Sequence, residues 1–189
     1  EGRVRELSRR DDSLAKKLIS ANLQDLFEAS DSELLAELIR LCEKLQIKLG
    51  AKSLLVIAKS ESQDLSARVQ AIQSVQANKT QDAFDQLAAL LKSKHPEIQV
   101  AAVGKLSEIE PKTFAARLEI SWRTLSLPAQ QTFLTQLGTS TSARGDEILS
   151  DALASLLGVL LSKALELDMV TSAEARQTPR LQQLIARYK

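Results

Sequence analysis

The segment PEIQVAAVGKL at residues 96–106 carries the pattern that decides the fold. Within it, Ala102, Val103 and Leu106 have the spacing that places apolar side chains on one face of a helix. The same spacing returns 31 residues earlier and 31 residues later. These two further copies are Ala71, Ile72 and Val75, and Phe133, Leu134 and Leu137. A helical unit that recurs in this way predicts stacked helix pairs, because one amphipathic pair cannot bury its apolar side alone.

Composition favours an all-α fold with an aliphatic core. The chain has 189 residues, of which six are glycine and four are proline, and aromatic residues make up 3%. Leu, Ile, Val and Ala must therefore form the core, and strand patterns are scarce. We predict a single helical repeat domain over residues 1–189, an α-α superhelix of stacked antiparallel helix pairs. Irregular N-terminal helices are expected over residues 1–59, repeats over about residues 60–157, and C-terminal helices over residues 146–189.

Local signals predict where several helices begin and end. Proline suits a first helical turn, where its missing amide hydrogen leaves no hydrogen bond unmade. Helix starts are therefore expected at Pro96, Pro128 and Pro179. Gly50 is expected to close a helix in the left-handed conformation. Three capping boxes predict further starts, at Ser30 with Glu33, Ser60 with Gln63, and Thr171 with Glu174.

The connections between helices follow from the same patterns. A turn is expected at residues 77–79, and a less regular helix or broken pair at residues 114–125. The stretch GTSTSARG at residues 138–145 predicts a linker that forms an exposed loop or hinge. A long central helix should follow from about residue 146 to about residue 167. Its most apolar run, ALASLLGVLL at residues 152–161, is shorter than the roughly 18 to 20 residues that cross a bilayer.

Catalytic chemistry is not indicated. His95 is the sole histidine, and Cys42 lies in an apolar helical stripe with Leu38 and Ile39, where a buried thiol is expected. The scattered glycines form no phosphate-binding loop. We therefore name no catalytic, cofactor-binding or metal-binding residue and predict that the chain is not an enzyme. With one cysteine no internal disulfide forms, and the cysteine count does not assign a compartment.

Two side chains are candidate partner contacts. Trp122 is the single tryptophan, which fits either a packing anchor between repeats or a binding hot spot. His95 precedes Pro96 in a turn between repeats, where a surface or capping imidazole is expected. Neither a signal sequence nor an initiating methionine occurs at Glu1, so we expect the chain to begin inside a longer polypeptide or after processing.

The repeat pattern resembles HEAT-like repeats. The resemblance rests on Asp64, Leu65 and Arg68 with the first apolar copy, then on PEIQVAAVGKL, and covers residues 60–157. The unit is shorter than the usual HEAT period of about 40 residues, and Phe133 replaces the expected alanine. The resemblance implies a scaffold whose work is contact.

A narrower resemblance concerns planctomycete-type multidomain proteins. The segments PEIQVAAVGKL, WRTLSLPAQQTFLTQL and LLSKALELDMVTSAEA are similar to the helical region of proteins that join a sugar-dehydrogenase-like propeller to a cytochrome c domain. This resemblance implies an extracytoplasmic spacer whose catalytic and haem residues lie on other domains. The chain itself has no CxxCH haem motif.

Function is accordingly predicted to be non-catalytic. We expect a scaffold or inter-domain spacer that makes protein-protein or domain-domain contacts. The alternative is a helical-repeat module that binds or processes nucleic acid, which requires aligned Lys and Arg along a groove. A net charge of +1 gives no general attraction to polyanions. The basic stretch at Arg3, Arg5, Arg9, Arg10, Lys16 and Lys17 is interrupted by acidic residues and fits a solvated face.

Overall fold

The structure is a computed structural model that describes residues 12–76, 81–140, 142–157 and 162–188. Within these ranges all regular secondary structure is helical, which confirms the predicted all-α class. The predicted turn at residues 77–79 and the arginines at positions 3, 5, 9 and 10 lie outside the described residues. The α-helices are α1 (Ser13–Ala21), α2 (Leu23–Ala29), α3 (Ser32–Lys44), α4 (Ala51–Lys59), α5 (Leu65–Ser74), α6 (Gln81–Leu90), α7 (Pro96–Ile109), α8 (Phe114–Leu118), α9 (Leu127–Thr139), α10 (Ala143–Leu157), α11 (Glu166–Arg176) and α12 (Pro179–Tyr188).

The proline signals locate helix starts correctly. α7 begins at Pro96, α9 has Pro128 as its second residue, and α12 begins at Pro179. The predicted broken pair is also present, as the short α8 followed by a 3-10 helix at Trp122–Thr124. These predictions hold because a fixed φ and a missing N–H act within one turn of chain.

The three capping boxes are wrong in detail. α3 is capped by Asp31, whose Oδ1 accepts the Leu34 amide at 2.9 Å, while the Ser30 hydroxyl donates back to the Leu26 carbonyl. Ser60 ends α4, and α5 begins only after Asp64. Thr171 lies in the interior of α11. In each case a hydroxyl that could cap a new helix belongs to the helix already formed.

Gly50 does not close a helix. Its φ is −67°, and it precedes α4 as the N-cap residue. The left-handed residue after α3 is Gln46, with φ of 56°. There the Gln46 amide donates to the Glu43 carbonyl at 2.9 Å and the Ile47 amide to the Cys42 carbonyl at 2.8 Å. This is a Schellman motif that uses glutamine where glycine is usual.

The predicted long helix at residues 146–167 is also wrong. α10 is described to Leu157, and Ser162 has an extended backbone with ψ of 131°. The Ser162 hydroxyl accepts the Ala164 amide at 3.3 Å and starts the 3-10 helix Lys163–Leu165, which leads into α11. The predicted linker at residues 138–145 is shorter than expected, because α9 continues to Thr139 and α10 begins at Ala143.

The helices contact one another in sequence order, in two rows. In the first row, α3 contacts α5, α5 contacts α7, α7 contacts α9, and α9 contacts α11. In the second row, α4 contacts α6, α8 contacts α10, and α10 contacts α12. The rows are joined because α4 packs on α5, α6 on α7, and α10 on α11. Each helix pair therefore packs against its neighbours along the chain.

The core occupies the space between these rows. All nine positions of the repeating apolar pattern are fully buried: Ala71, Ile72, Val75, Ala102, Val103, Leu106, Phe133, Leu134 and Leu137. Phe133 of the third copy has an aromatic environment, with its ring centroid 5.3 Å from Phe114 and 5.6 Å from Trp122. The larger Phe133 is accommodated because α8 is short and contributes a ring to the same space.

A polar side chain also recurs with the 31-residue spacing. Arg68, Gln99 and Gln130 each lie near the start of a first-row helix and donate to a carbonyl that precedes that helix. The bonds are Arg68 Nε to the Ala58 oxygen (3.1 Å), Gln99 Nε2 to the Ser93 oxygen (2.7 Å), and Gln130 Nε2 to the Leu125 oxygen (2.8 Å). Gln99 also accepts the Ser126 amide at 2.7 Å. We call these three side chains the polar links, because they tie each first-row helix to the chain that enters it.

Candidate partner-binding surfaces

The groups needed for catalysis or metal binding do not converge in the described part of the chain. No three His, Cys, Asp or Glu side chains there are placed to hold a metal ion. Cys42 is fully buried on α3, as its apolar stripe predicts, and burial raises the pKa of its thiol. A buried thiol with a raised pKa is a poor nucleophile. Among the described helices, none is long and apolar enough to cross a bilayer.

Trp122 lies in the core and offers no surface to a partner. Its side chain is 2% exposed, its ring stacks on Phe133, and the guanidinium of Arg123 lies 5.5 Å from its ring centroid. Of the two interpretations of this residue, packing between repeats agrees with the structure. The partner-contact role of Trp122 is therefore withdrawn, because a partner would have to open the core to reach the ring.

His95 lies at the surface between two repeats. It is half-buried immediately before α7, and its backbone amide donates to the Ser93 hydroxyl at 3.2 Å. Its imidazole makes no capping bond to α7. The next residue, Pro96, lines an apolar cleft, so His95 borders a surface with room for a ligand. Its role as a partner contact stays a prediction.

That cleft lies across three helices of the first row. We call it the first-row cleft; its volume is about 300 Å³, and its lining residues are Val69, Gln73, Pro96, Glu97, Val100, Ala101 and Pro128. Val69 and Val100 are equivalent positions of neighbouring repeats, as are Glu97 and Pro128. The cleft is mostly apolar and is open to solvent, which suits contact with another protein surface better than binding of a charged small molecule.

A larger opening lies at the N-terminal end of the helix rows. We call it the N-terminal groove; its volume is about 700 Å³, and its lining residues are Ser20, Ala21, Leu23, Phe27, Gly50, Ser53, Val56 and Ile57. α1 and α2 form one wall and α4 forms the other. The groove is therefore bounded by helices on both sides, with aliphatic side chains and one phenylalanine between them.

Apolar side chains remain exposed around this groove. Leu14 is 66% exposed, Leu18 56% and Val56 66%, and α1 has no buried residue. The opposite end of the molecule differs, because α12 buries Leu181 and Ile185. In stacked helical arrays a terminal unit is expected to turn a polar face outward. The N-terminal end departs from this expectation, and an exposed apolar patch of this kind marks an interaction surface.

Lysines lie at the rim of the N-terminal groove. Lys17 is three and four residues before Ser20 and Ala21, so it shares their face of α1. Lys52 is four residues before Val56 and shares its face of α4. Both lysines are exposed. Asp25, by contrast, lies two residues from both Leu23 and Phe27, which places it on the far side of α2.

Comparison with known proteins gives no family assignment. A scan against protein-family models, a search of curated proteins and a search of solved structures each find no match. The surfaces described above must therefore be interpreted from their own chemistry.

Proposed function

We propose that this chain is a non-catalytic helical-repeat scaffold or inter-domain spacer that acts through protein-protein or domain-domain contacts. The observation that carries the proposal is the contact order of the first row, where each helix from α3 to α11 packs on the next one of that row. Such an arrangement has the logic of a HEAT-like α-α superhelix, in which stacking produces long surfaces suited to extended contact. The resemblance to a spacer in planctomycete-type multidomain proteins agrees with this role and stays a prediction.

The chemistry of the surface supports protein as the partner. The first-row cleft and the N-terminal groove are both lined mainly by apolar residues. Side chains of this type bind other protein surfaces because they lose little on leaving water. The cleft and the groove lie on different helices, so a scaffold of this form has at least two places for contact.

Ion pairing disfavours the nucleic-acid alternative. Five arginines of the described chain each pair with a carboxylate: Arg40 with Glu37, Arg117 with Glu110, Arg144 with Glu119, Arg176 with Asp146, and Arg180 with Asp151. An arginine held by a carboxylate is poorly placed to neutralise a phosphate and to release counterions. Protein contact is therefore favoured over binding to a polyanion.

Site-specific photocrosslinking tests this function. A photoreactive phenylalanine analogue at Gln73 in the first-row cleft, or at Val56 in the N-terminal groove, should form discrete protein adducts in an extract of the native cells. The same analogue at exposed Gln183 on α12 is the matched control. Adducts at neither surface position, together with salt-sensitive binding of duplex DNA to the purified chain, would contradict the proposal.

A further inference from the structure

The shape of the N-terminal groove fits one helix. Two helical walls enclose about 700 Å³, and apolar side chains line the floor and extend outward on α1 and α4. An amphipathic helix that lies in such a groove buries its apolar stripe against several anchor positions at once. Leu23, Phe27 and Ile57 provide the partly buried floor, and Val56 provides an exposed edge.

The charge at the rim selects among amphipathic helices. Lys17 and Lys52 border the groove from opposite walls, and Lys16 precedes Lys17 on α1. The nearest described carboxylate on α2, that of Asp25, is on the side of that helix away from the groove. A helix with carboxylates on both sides of its apolar stripe would meet these ammonium groups, whereas a helix flanked by lysines would be repelled.

The same lysines disfavour a second copy of this chain as the occupant. A two-fold symmetric dimer uses the same patch on both subunits. Two such grooves placed face to face would bring Lys17 and Lys52 of one copy against those of the other. Like charges in a desolvated interface oppose association. The groove is therefore better matched to a different chain with the opposite charge.

We infer that the N-terminal groove is a docking site for an amphipathic helix of another protein, one whose apolar stripe is flanked by glutamate or aspartate. This inference rests on the proposed function and names the partner class for one of its two surfaces. Leu14, Leu18 and Val56 anchor the apolar stripe, and Lys17 and Lys52 recognise the acidic flanks.

Two synthetic peptides provide the test. Both are 18-residue amphipathic helices with the same leucine stripe, one flanked by glutamate and the other by lysine. Fluorescence anisotropy with the full chain should show the glutamate peptide binding at least about tenfold more tightly, with an advantage that shrinks as salt rises. Equal binding of the two peptides, or binding of neither, would overturn the inference.

Variants of the chain locate the binding site. Lys17→Glu combined with Lys52→Glu should reverse the preference toward the lysine peptide, and Val56→Ser should weaken both peptides. Lys92→Glu combined with Lys112→Glu is the matched control, because these exposed lysines lie away from the groove. Thermal unfolding monitored by circular dichroism checks that each variant is folded. An unchanged preference in the groove variant would overturn the inference, as would a dimer of the full chain that Val56→Ser dissociates.

The two proposals can fail separately. Photocrosslinks at Gln73 without discrimination between the peptides would leave the scaffold function standing and remove the groove as a site for acidic helices. The absence of crosslinks at both surfaces, together with no peptide binding, would remove both.

Discussion

Arg176 is the side chain that makes the most connections between separate helices. It ends α11, and its side chain is only 7% exposed. Its guanidinium donates to the carbonyls of Leu137, at 3.1 Å, of Ser140, and of Ser142, at 2.7 Å, and it pairs with Asp146. These acceptors belong to the end of α9, the following connection and the start of α10. The stretch predicted to be a hinge is thus fixed by one guanidinium.

Replacement of Arg176 should therefore destabilise the C-terminal half. Arg176→Ala leaves three carbonyls and a partly buried carboxylate without their donor, and we expect a loss of about 3 kcal/mol in the free energy of unfolding. Arg180→Ala is the control, because its pair with Asp151 is exposed and should contribute less than about 1 kcal/mol. Urea denaturation measures both. Equal losses in the two variants would contradict the role assigned to Arg176.

Cys42 gives a pH-dependent prediction. Burial raises the pKa of its thiol above the ordinary value of 9.0, so the unfolded chain releases the thiol proton at lower pH than the folded chain. The contribution of this thiol to stability is complete below pH 9.0 and is lost as the pH rises through the raised pKa of the folded state. The free energy of unfolding should therefore fall more steeply with pH above this value in the native chain than in Cys42→Ala.

The reactivity of the same thiol provides a second measurement. At pH 8 and without denaturant, a thiol-specific disulfide reagent should react with Cys42 only as fast as the protein opens. Rapid labelling of the folded chain would show that the thiol is accessible and would contradict the burial on α3.

At the scale of elements, α9 and α11 approach each other closely. A Cβ atom added to Gly138 would lie 3.0 Å from the Cα of Ser172. Glycine in α9 and serine in α11 therefore permit backbone contact between the two first-row helices. Gly104 in α7 differs, because an added Cβ would meet no atom within 4 Å.

These two glycines form a matched pair of substitutions. Gly138→Ala should separate α9 from α11 and lower the free energy of unfolding by about 1 to 3 kcal/mol. Gly104→Ala should raise it by about 0.5 to 1 kcal/mol, because alanine is the better helix former and has space here. Chemical denaturation should give changes of opposite sign. Stabilisation by both substitutions would show that α9 and α11 are not in backbone contact.

The success of sequence prediction at this scale depends on how local the cause is. Pro96, Pro128 and Pro179 marked helix starts correctly because proline acts within one turn. The capping boxes failed because Ser30 and Ser60 had a competing acceptor or position in the preceding helix. The polar link of Gln99 could not be predicted from one helix, since its partners at Ser93 and Ser126 approach only after the repeats have packed.

At the scale of the whole molecule, the order of helix contacts predicts an elongated particle. A compact chain of 189 residues would have a radius of gyration of about 16 Å. Stacked pairs should exceed this value and give a pair-distance distribution with a long tail in small-angle X-ray scattering. A symmetric distribution with a radius near the compact value would favour a bundle over a superhelix.

The candidate surfaces show what the sequence could and could not supply at this scale. The pattern at positions 71, 102 and 133 was enough to identify the core, because all copies use the same face. The N-terminal groove was not identified, although Leu14, Leu18 and Phe27 were visible as helical spacing. Leucines that pack and leucines that stay exposed have the same spacing, and only their neighbours in space distinguish them.

The polar links make the length of the protein adjustable in steps. Arg68, Gln99 and Gln130 each bind the chain just before their own helix, so every module contains both the donor and the means to attach to its predecessor. Duplication or deletion of 31 residues preserves all of these attachments, whereas a change of five or ten residues separates a donor from its carbonyl. We therefore expect such a molecule to evolve longer or shorter spans between its attached partners by copying or losing whole modules.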